Sequence, residues 1–164
     1  YEAMSATNHY FYHSLDPAFY HFLTRNLVPL IDEKFNVQSS QKSLYGHSFG
    51  GLFTLYALLK NDGVFSNFFI ASPSLWWGES EILKQNVNDG KFKEKLKAKF
   101  VFLSVGELEK RKGKTDKPGI LKTSDLAQIL KQSGINSHFE LFKNETHGSV
   151  IPLNLKELLK YLKD

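Results

Sequence analysis

The sequence predicts an α/β fold, a three-layer α/β/α sandwich around a mostly parallel sheet. Three observations predict it. Apolar runs of strand length alternate with stretches of helical periodicity along 164 residues, a length that fits one domain, taken as residues 1–164. The strand runs are continuously apolar rather than alternating, as in parallel strands covered on both faces. Glycine- and polar-rich segments separate the runs at short intervals. Composition agrees: 41% hydrophobic and 23% charged is ordinary globular usage, not that of a disordered chain.

The elements follow in order. Asp16-Pro17 reads as an N-cap followed by Pro in the first turn. Phe19, Phe22, Leu23, Leu27, Leu30 and Ile31 then recur at helical spacing, giving a helix over 17–34 with a bend at Pro29. Ser43-Leu44-Tyr45 is a short strand. It runs into Gly46-His47-Ser48-Phe49-Gly50-Gly51 and a helix carrying Leu52, Leu55, Leu58 and Leu59, ended by Asn61-Asp62-Gly63. Residues 68–71 form a second strand, and 72–78 a loop with Pro73, Trp76 and Trp77. Helical stretches follow at 79–86 and 90–98. Residues 100–105 make the clearest strand, closed by Gly106; 107–119 are a loop and 120–132 a helix stopped by Gly134. A strand at 137–142, a loop at 143–149 and a helix at 152–163 complete about four strands.

Several function classes are excluded or disfavoured. Cysteine is absent, which removes disulfide frameworks, thiolate nucleophiles and Cys-based zinc or iron–sulfur sites. A reducing, cytoplasmic compartment fits, as export also would. No apolar run approaches the roughly 18 residues of a membrane span, and no charged-then-apolar leader opens the sequence, so no membrane association is expected. The net charge of +4 is too modest to indicate a nucleic-acid partner, and no basic-aromatic platform is visible. His9 and His13 are spaced i, i+4, but nothing nearby completes a ligand set, so no metal is expected.

Gly46-His47-Ser48-Phe49-Gly50 fits G-x-S-x-G, the turn that exposes a nucleophilic serine between a strand and a helix. The helix that follows directs its N-terminal N–H groups at developing negative charge, and the Phe49 N–H is the expected oxyanion donor. A serine hydroxyl needs a base. His147, in Thr146-His147-Gly148 after the last strand, is the natural one, and Gly148 gives that loop freedom. His138 lies inside a strand, while His9, His13 and His21 precede the serine; His47 is read as packing. The acid should follow the strand at 100–105, where Glu107 and Glu109 alternate on one side of an extended segment. Its role is to orient the imidazole and stabilise the imidazolium. Spacing alone does not choose between them; Glu109 is preferred, with Glu107 and then Asp116 as alternatives.

The sequence resembles the esterase branch of the α/β-hydrolases, and within it the ferric-siderophore (enterobactin and bacillibactin) esterases. The resemblance rests on Leu27-Val28-Pro29-Leu30-Ile31, the segment Gly46 to Leu52, Ser72-Pro73-Ser74-Leu75-Trp76-Trp77, Val105-Gly106-Glu107-Leu108-Glu109 and His147-Gly148-Ser149-Val150. It implies Ser48 as nucleophile, His147 as base and Glu109 as acid, acting on a small-molecule carboxylic ester with no cofactor. The expected substrate is an anionic ferric siderophore. A generic carboxylesterase or thioesterase is the neighbouring reading, and a non-catalytic hydrolase fragment or scaffold is the alternative of another class.

Family members run to roughly 250 or more residues. The resemblance therefore implies a truncated, C-terminal part of such a chain, without the first strands and the loop that supplies a second oxyanion donor. The elbow strand would then be an open apolar sheet edge, a predicted site of self-association. Trp76 and Trp77 are candidate substrate-binding residues at the catalytic edge of the sheet. Lys110, Arg111, Lys112, Lys114 and Lys117 could form a basic rim that steers an anion. Lys91–Lys99 reads as an ordinary amphipathic surface helix.

Overall fold

A computed structural model of the chain describes residues 17–37, 41–60, 62–87, 96, 98–109 and 118–161. Helix α1 runs through Pro17–Phe22, a π-helical turn Leu23–Leu27 and Val28–Phe35. Its irregularity therefore precedes Pro29 rather than sitting on it. Pro29 has no N–H for the Arg25 carbonyl four residues back, and its ring crowds that oxygen; widening the preceding turn accommodates both. Asn36 closes α1 in the left-handed region at φ 47°, with its N–H on the Asp32 carbonyl.

Four strands follow: β1 Ser43–His47, β2 Asn67–Ala71, β3 Phe100–Gly106 and β4 Ser137–Phe142. They form one sheet in the order β1-β2-β3-β4, every pair parallel. Helix α2 (Phe49–Lys60) joins β1 to β2. A 3₁₀ turn, Trp77–Ser80, and α3 (Glu81–Val87) follow β2; α4 (Thr123–Gln132) precedes β4, and α5 (Ile151–Tyr161) follows it. The α/β architecture with a parallel sheet is thus the observed one. Of the expected helix at 90–98, only Leu96 and Ala98 are described, and Asp16 lies outside the described residues.

The register sorts the side chains into two layers. Gly46, Ile70, Leu103 and Phe139 lie side by side across the sheet, as do Tyr45, Phe69, Phe102 and His138 one residue earlier. On the first face Phe68, Ile70, Val101 and Leu103 join Leu52, Leu55 and Leu58 of α2, Tyr20 of α1, and Leu126 and Leu130 of α4 in the main core. Each such fully buried side chain is worth about 1.5–3 kcal/mol relative to exposure. On the second face α5 lays Tyr161 against Phe69, Phe100 and Phe102, at ring distances of 6.1, 4.6 and 5.8 Å. Asn154 of the same helix accepts a hydrogen bond from buried Ser104 of β3. Among the described residues, β1 forms one edge of the sheet. Phe19, Phe22, Leu30, Ile31 and Phe35 of α1 and Leu155 and Leu159 of α5 are exposed.

Two boundaries move, each for a local reason. Helix α4 starts at Thr123 rather than at 120, because Asp125 turns back to accept the Lys122 N–H at 2.7 Å and ends the extended approach there. The helix expected from 79 starts regularly only at Glu81, because Gly78, Glu79 and Ser80 all have positive φ.

Candidate active site

The strand exits build the site. After His47, the chain turns sharply at Ser48, whose φ is +60°, a conformation that few non-glycine residues adopt. Three backbone bonds hold it. The Ser48 N–H donates to the Ala71 carbonyl at 3.0 Å, while the Ser48 carbonyl accepts from the Leu52 and Ser74 N–H groups at 3.1 and 3.0 Å. Two glycines make the turn possible. A Cβ on Gly46 would lie 2.0 Å from the Gly50 carbonyl oxygen, and one on Gly51 would lie 2.7 Å from the Ala71 oxygen. Gly50, the last glycine of the motif, has open space where a Cβ would stand, so it is not required for close passage. Phe49 opens α2, so its N–H belongs to the first turn, where no carbonyl within the helix can accept it.

His147 sits in the turn between β4 and α5. Its Nε2 is 2.9 Å from Ser48 Oγ and its Nδ1 is 2.7 Å from Glu109 Oε2. The structure therefore brings Ser48, His147 and Glu109 into one hydrogen-bonded chain, with the side chain of Glu109 only 9% exposed and that of His147 29%. The imidazole also packs against the ring of His47, 4.6 Å between centroids.

The two glutamates do not share one side of an extended segment. The chain folds back after β3 in a turn closed by the Glu109 N–H on the Gly106 carbonyl, at 3.2 Å. That turn separates the two carboxylates. Glu109 Oε1 accepts the Gly106 N–H at 2.7 Å and the Ser72 hydroxyl at 2.6 Å, which leaves Oε2 for the imidazole. Glu107 is exposed and accepts the Asn144 N–H at 3.0 Å. Asp116, the run Lys110–Lys117, and His9 and His13 lie outside the described residues.

The turn that carries Glu109 and the loop that carries His147 are tied directly, by the Leu108 N–H on the Glu145 carbonyl at 2.9 Å. A Cβ on Gly106 would meet that same carbonyl at 2.5 Å, so the glycine after β3 is what lets the two loops approach. At Gly148 a Cβ would meet nothing within 4 Å.

A cavity of about 710 Å³ adjoins this chain of groups, within the usual range for small-molecule sites. Trp76, Ile120, Leu121 and Phe139 supply apolar walls, and His147 and Glu109 reach its surface. The two tryptophans part company here. Trp76 lines the cavity, while Trp77 packs against the core cluster. Both touch Phe49, at ring distances of 5.9 and 5.1 Å. The segment from Ser72 to Trp77 stands out in the sequence for its tryptophans, and its serines were missed: Ser72 donates to Glu109, and Ser74 Oγ lies 3.3 Å from Ser48 Oγ. No spacing rule marks them, because their partners are 37 and 26 residues away.

The chain is 28% identical over 144 residues to the ferri-bacillibactin esterase of Bacillus subtilis, covering 87% of this chain and 50% of that protein. It is 29% identical over 145 residues to the apo-salmochelin esterase of Escherichia coli, covering 86% and 44%. The crystal structure of the BES protein from Bacillus cereus matches with a TM-score of 0.71 at 31% identity, over 85% of this chain and 53% of that one. The chain spans about half the length of the curated relatives it matches. The family model described as "Putative esterase" matches residues 6–149, and the chain belongs to that esterase family.

Proposed function

We propose that this chain carries the acyl-transfer machinery of a serine esterase acting on carboxylic esters of the siderophore type. The observation that carries the reading is the chain of two hydrogen bonds, 2.9 Å from Ser48 Oγ to His147 Nε2 and 2.7 Å from His147 Nδ1 to Glu109 Oε2. Ser48 Oγ attacks the ester carbonyl carbon while Nε2 takes the hydroxyl proton. Glu109, with its charge beside Nδ1–H, stabilises the imidazolium that results. The carbonyl oxygen becomes an oxyanion within reach of the Phe49 N–H at the start of α2. Collapse expels the alcohol, which receives the proton from Nε2 and leaves an acyl group on Ser48. A water then repeats the sequence, with Nε2 again as base, and releases the acid.

The siderophore assignment draws on relatives whose names specify ferri-bacillibactin and salmochelin esters, and on an apolar cavity large enough for an aryl or acyl arm. The associated expectation of self-association is supported by the position of β1 at an edge of the described sheet. Sedimentation that stays monomeric across a wide concentration range would remove it. The decisive experiment on the chemistry is labelling with a fluorophosphonate probe followed by intact mass, with Ser48→Ala as control. One adduct, lost in the variant, supports an assembled nucleophile and base; no adduct in a folded protein refutes the proposal. Hydrolysis of a catecholate siderophore ester would then be compared with that of a simple aryl ester.

A further inference from the structure

We propose that Ser72 is a positioning residue for the acid, its hydroxyl fixing the Glu109 carboxylate so that Oε2 faces His147. The inference rests on the reading of Ser48, His147 and Glu109 as a catalytic set. Ser72 is the first residue past β2, 2% exposed, at φ +44°. A non-glycine residue held there is strained, and the strain persists only where the surroundings enforce it. Its N–H is bonded to the Ser104 carbonyl at 2.8 Å, so its backbone is pinned to β3.

The chemistry of the contact is directional. An ionised carboxylate only accepts, and a serine hydroxyl has one proton to give; Ser72 gives it to Oε1 at 2.6 Å. The Gly106 N–H gives a second bond to the same oxygen at 2.7 Å. Two donors from different strands, one on β2's exit and one at the end of β3, define the plane of the carboxylate. Glutamate has one more rotatable bond than aspartate, so the carboxyl would otherwise sample several orientations at an entropic cost to any single one. With Oε1 saturated, Oε2 is left to accept from Nδ1 at 2.7 Å. Charge-assisted bonds of this length are the strong ones, so the pair of donors on Oε1 competes well against water.

The test reads the His147 ring and the chemistry separately. In the folded chain near pH 6, proton NMR should show a far-downfield Nδ1–H resonance from His147, absent in Glu109→Gln. In Ser72→Ala it should move upfield or broaden through faster exchange with water. Alanine fits positive φ about as well as serine. If that variant does not fold, Ser72→Gly, which relieves the strain and also removes the hydroxyl, takes its place. Fluorophosphonate labelling of Ser48 should slow on the order of tenfold in Ser72→Ala, the scale of one bond to a charged group, and should not slow further when Glu109 is already Gln.

An unmoved resonance overturns the proposal, as does an equal slowing in both backgrounds, which is what a purely structural role would give. If the unmutated chain takes no probe at all, the esterase reading fails, and the resonance alone still decides whether Ser72 orients Glu109.

Discussion

Replacing Glu109 by Gln changes almost nothing in size and should cost nearly all of the activity. The reason lies in which way the amide must turn. Oε1 faces two donors, the Gly106 N–H and the Ser72 hydroxyl, at 2.7 and 2.6 Å. The amide oxygen must take that place, or two donors are left opposing the NH₂. The NH₂ then points at His147 Nδ1, which becomes an acceptor, and the single proton of the neutral ring moves to Nε2. At 2.9 Å from Ser48 Oγ, a protonated Nε2 cannot receive the serine proton. Loss of the carboxylate also removes the charge that stabilises the imidazolium. The same wrong-tautomer change in a serine-protease triad lowers kcat by about 10⁴; a drop of about 10³–10⁴ expected here is about 4–5 kcal/mol on the barrier. Glu107→Gln keeps an oxygen for the exposed Asn144 N–H and should stay within about threefold, as surface changes do. Second-order rates of fluorophosphonate labelling, with melting temperatures to confirm folding, compare the two. Labelling of Glu109→Gln within tenfold of the parent would refute the argument, as would an equal fall in Glu107→Gln.

Three further outcomes are expected. Gly46→Ala should destabilise by about 3 kcal/mol or more, because its Cβ would stand 2.0 Å from the Gly50 oxygen. Gly50→Ala has free space for its Cβ and should raise the melting temperature by the helix-propensity gain of up to about 1 kcal/mol; thermal denaturation reads both. Trp76→Ala should weaken binding of bulky esters through its wall of the cavity, seen as a raised KM, whereas Trp77→Ala should lower stability by about 2–4 kcal/mol with KM little changed. Burial raises the Tyr45 phenol above its ordinary value near 10, so the unfolded chain ionises first. The stability this gives is complete below pH 10 and is lost as pH rises above it. Its buried hydroxyl has no hydrogen-bond partner among the described residues, so Tyr45→Phe should be neutral or stabilising at pH 7 and should flatten the alkaline loss in urea titrations at pH 9 and 11.

What could be read from the sequence was local. Gly46 to Gly51 between an apolar strand and an apolar-striped helix is a strand–turn–helix unit whose geometry depends on its own residues, so the place of Ser48 on a sharp turn and of Phe49 at the start of the helix was legible. His147 was legible because a polar loop with a single histidine follows the last strand. The acid was less so. Glu107 and Glu109 look equivalent in an extended chain, and only the turn closed on Gly106 separates them. That turn is settled by contacts to Ser72 and Glu145, from other strands' exits. Nor did the sequence show that Pro29 would displace its strain into a π turn one turn earlier, or that Gly50 would have room for a side chain. Which of Trp76 and Trp77 lines the cavity was not legible for the same reason: adjacent aromatics on a tight turn diverge, and which one faces a cavity depends on packing against α2.

The site's precision comes from how the strand exits are cross-linked. Beyond the last ladder pairs, the exit of β1 bonds to that of β2 through Ser48 N–H and Ala71, and again through Ser74 N–H and Ser48. The exit of β2 bonds to β3 itself through Ser72 N–H and the Ser104 carbonyl, and the exit of β3 to β4 through Glu107 N–H and Phe142 and through Leu108 N–H and Glu145. Ser48 and His147 thus follow the two outermost of the four described strands, and two intervening exits set the distance between them. Glu109 and Ser72 are the side chains those intervening exits contribute. A parallel sheet makes this possible because all four strands end on one edge. It follows that the sensitivity of the chemistry to substitution should track these links between strand ends rather than distance from Ser48. Ser72 and Gly106 at the middle exits should matter more than exposed Phe49's ring, although that ring belongs to the residue next to the nucleophile.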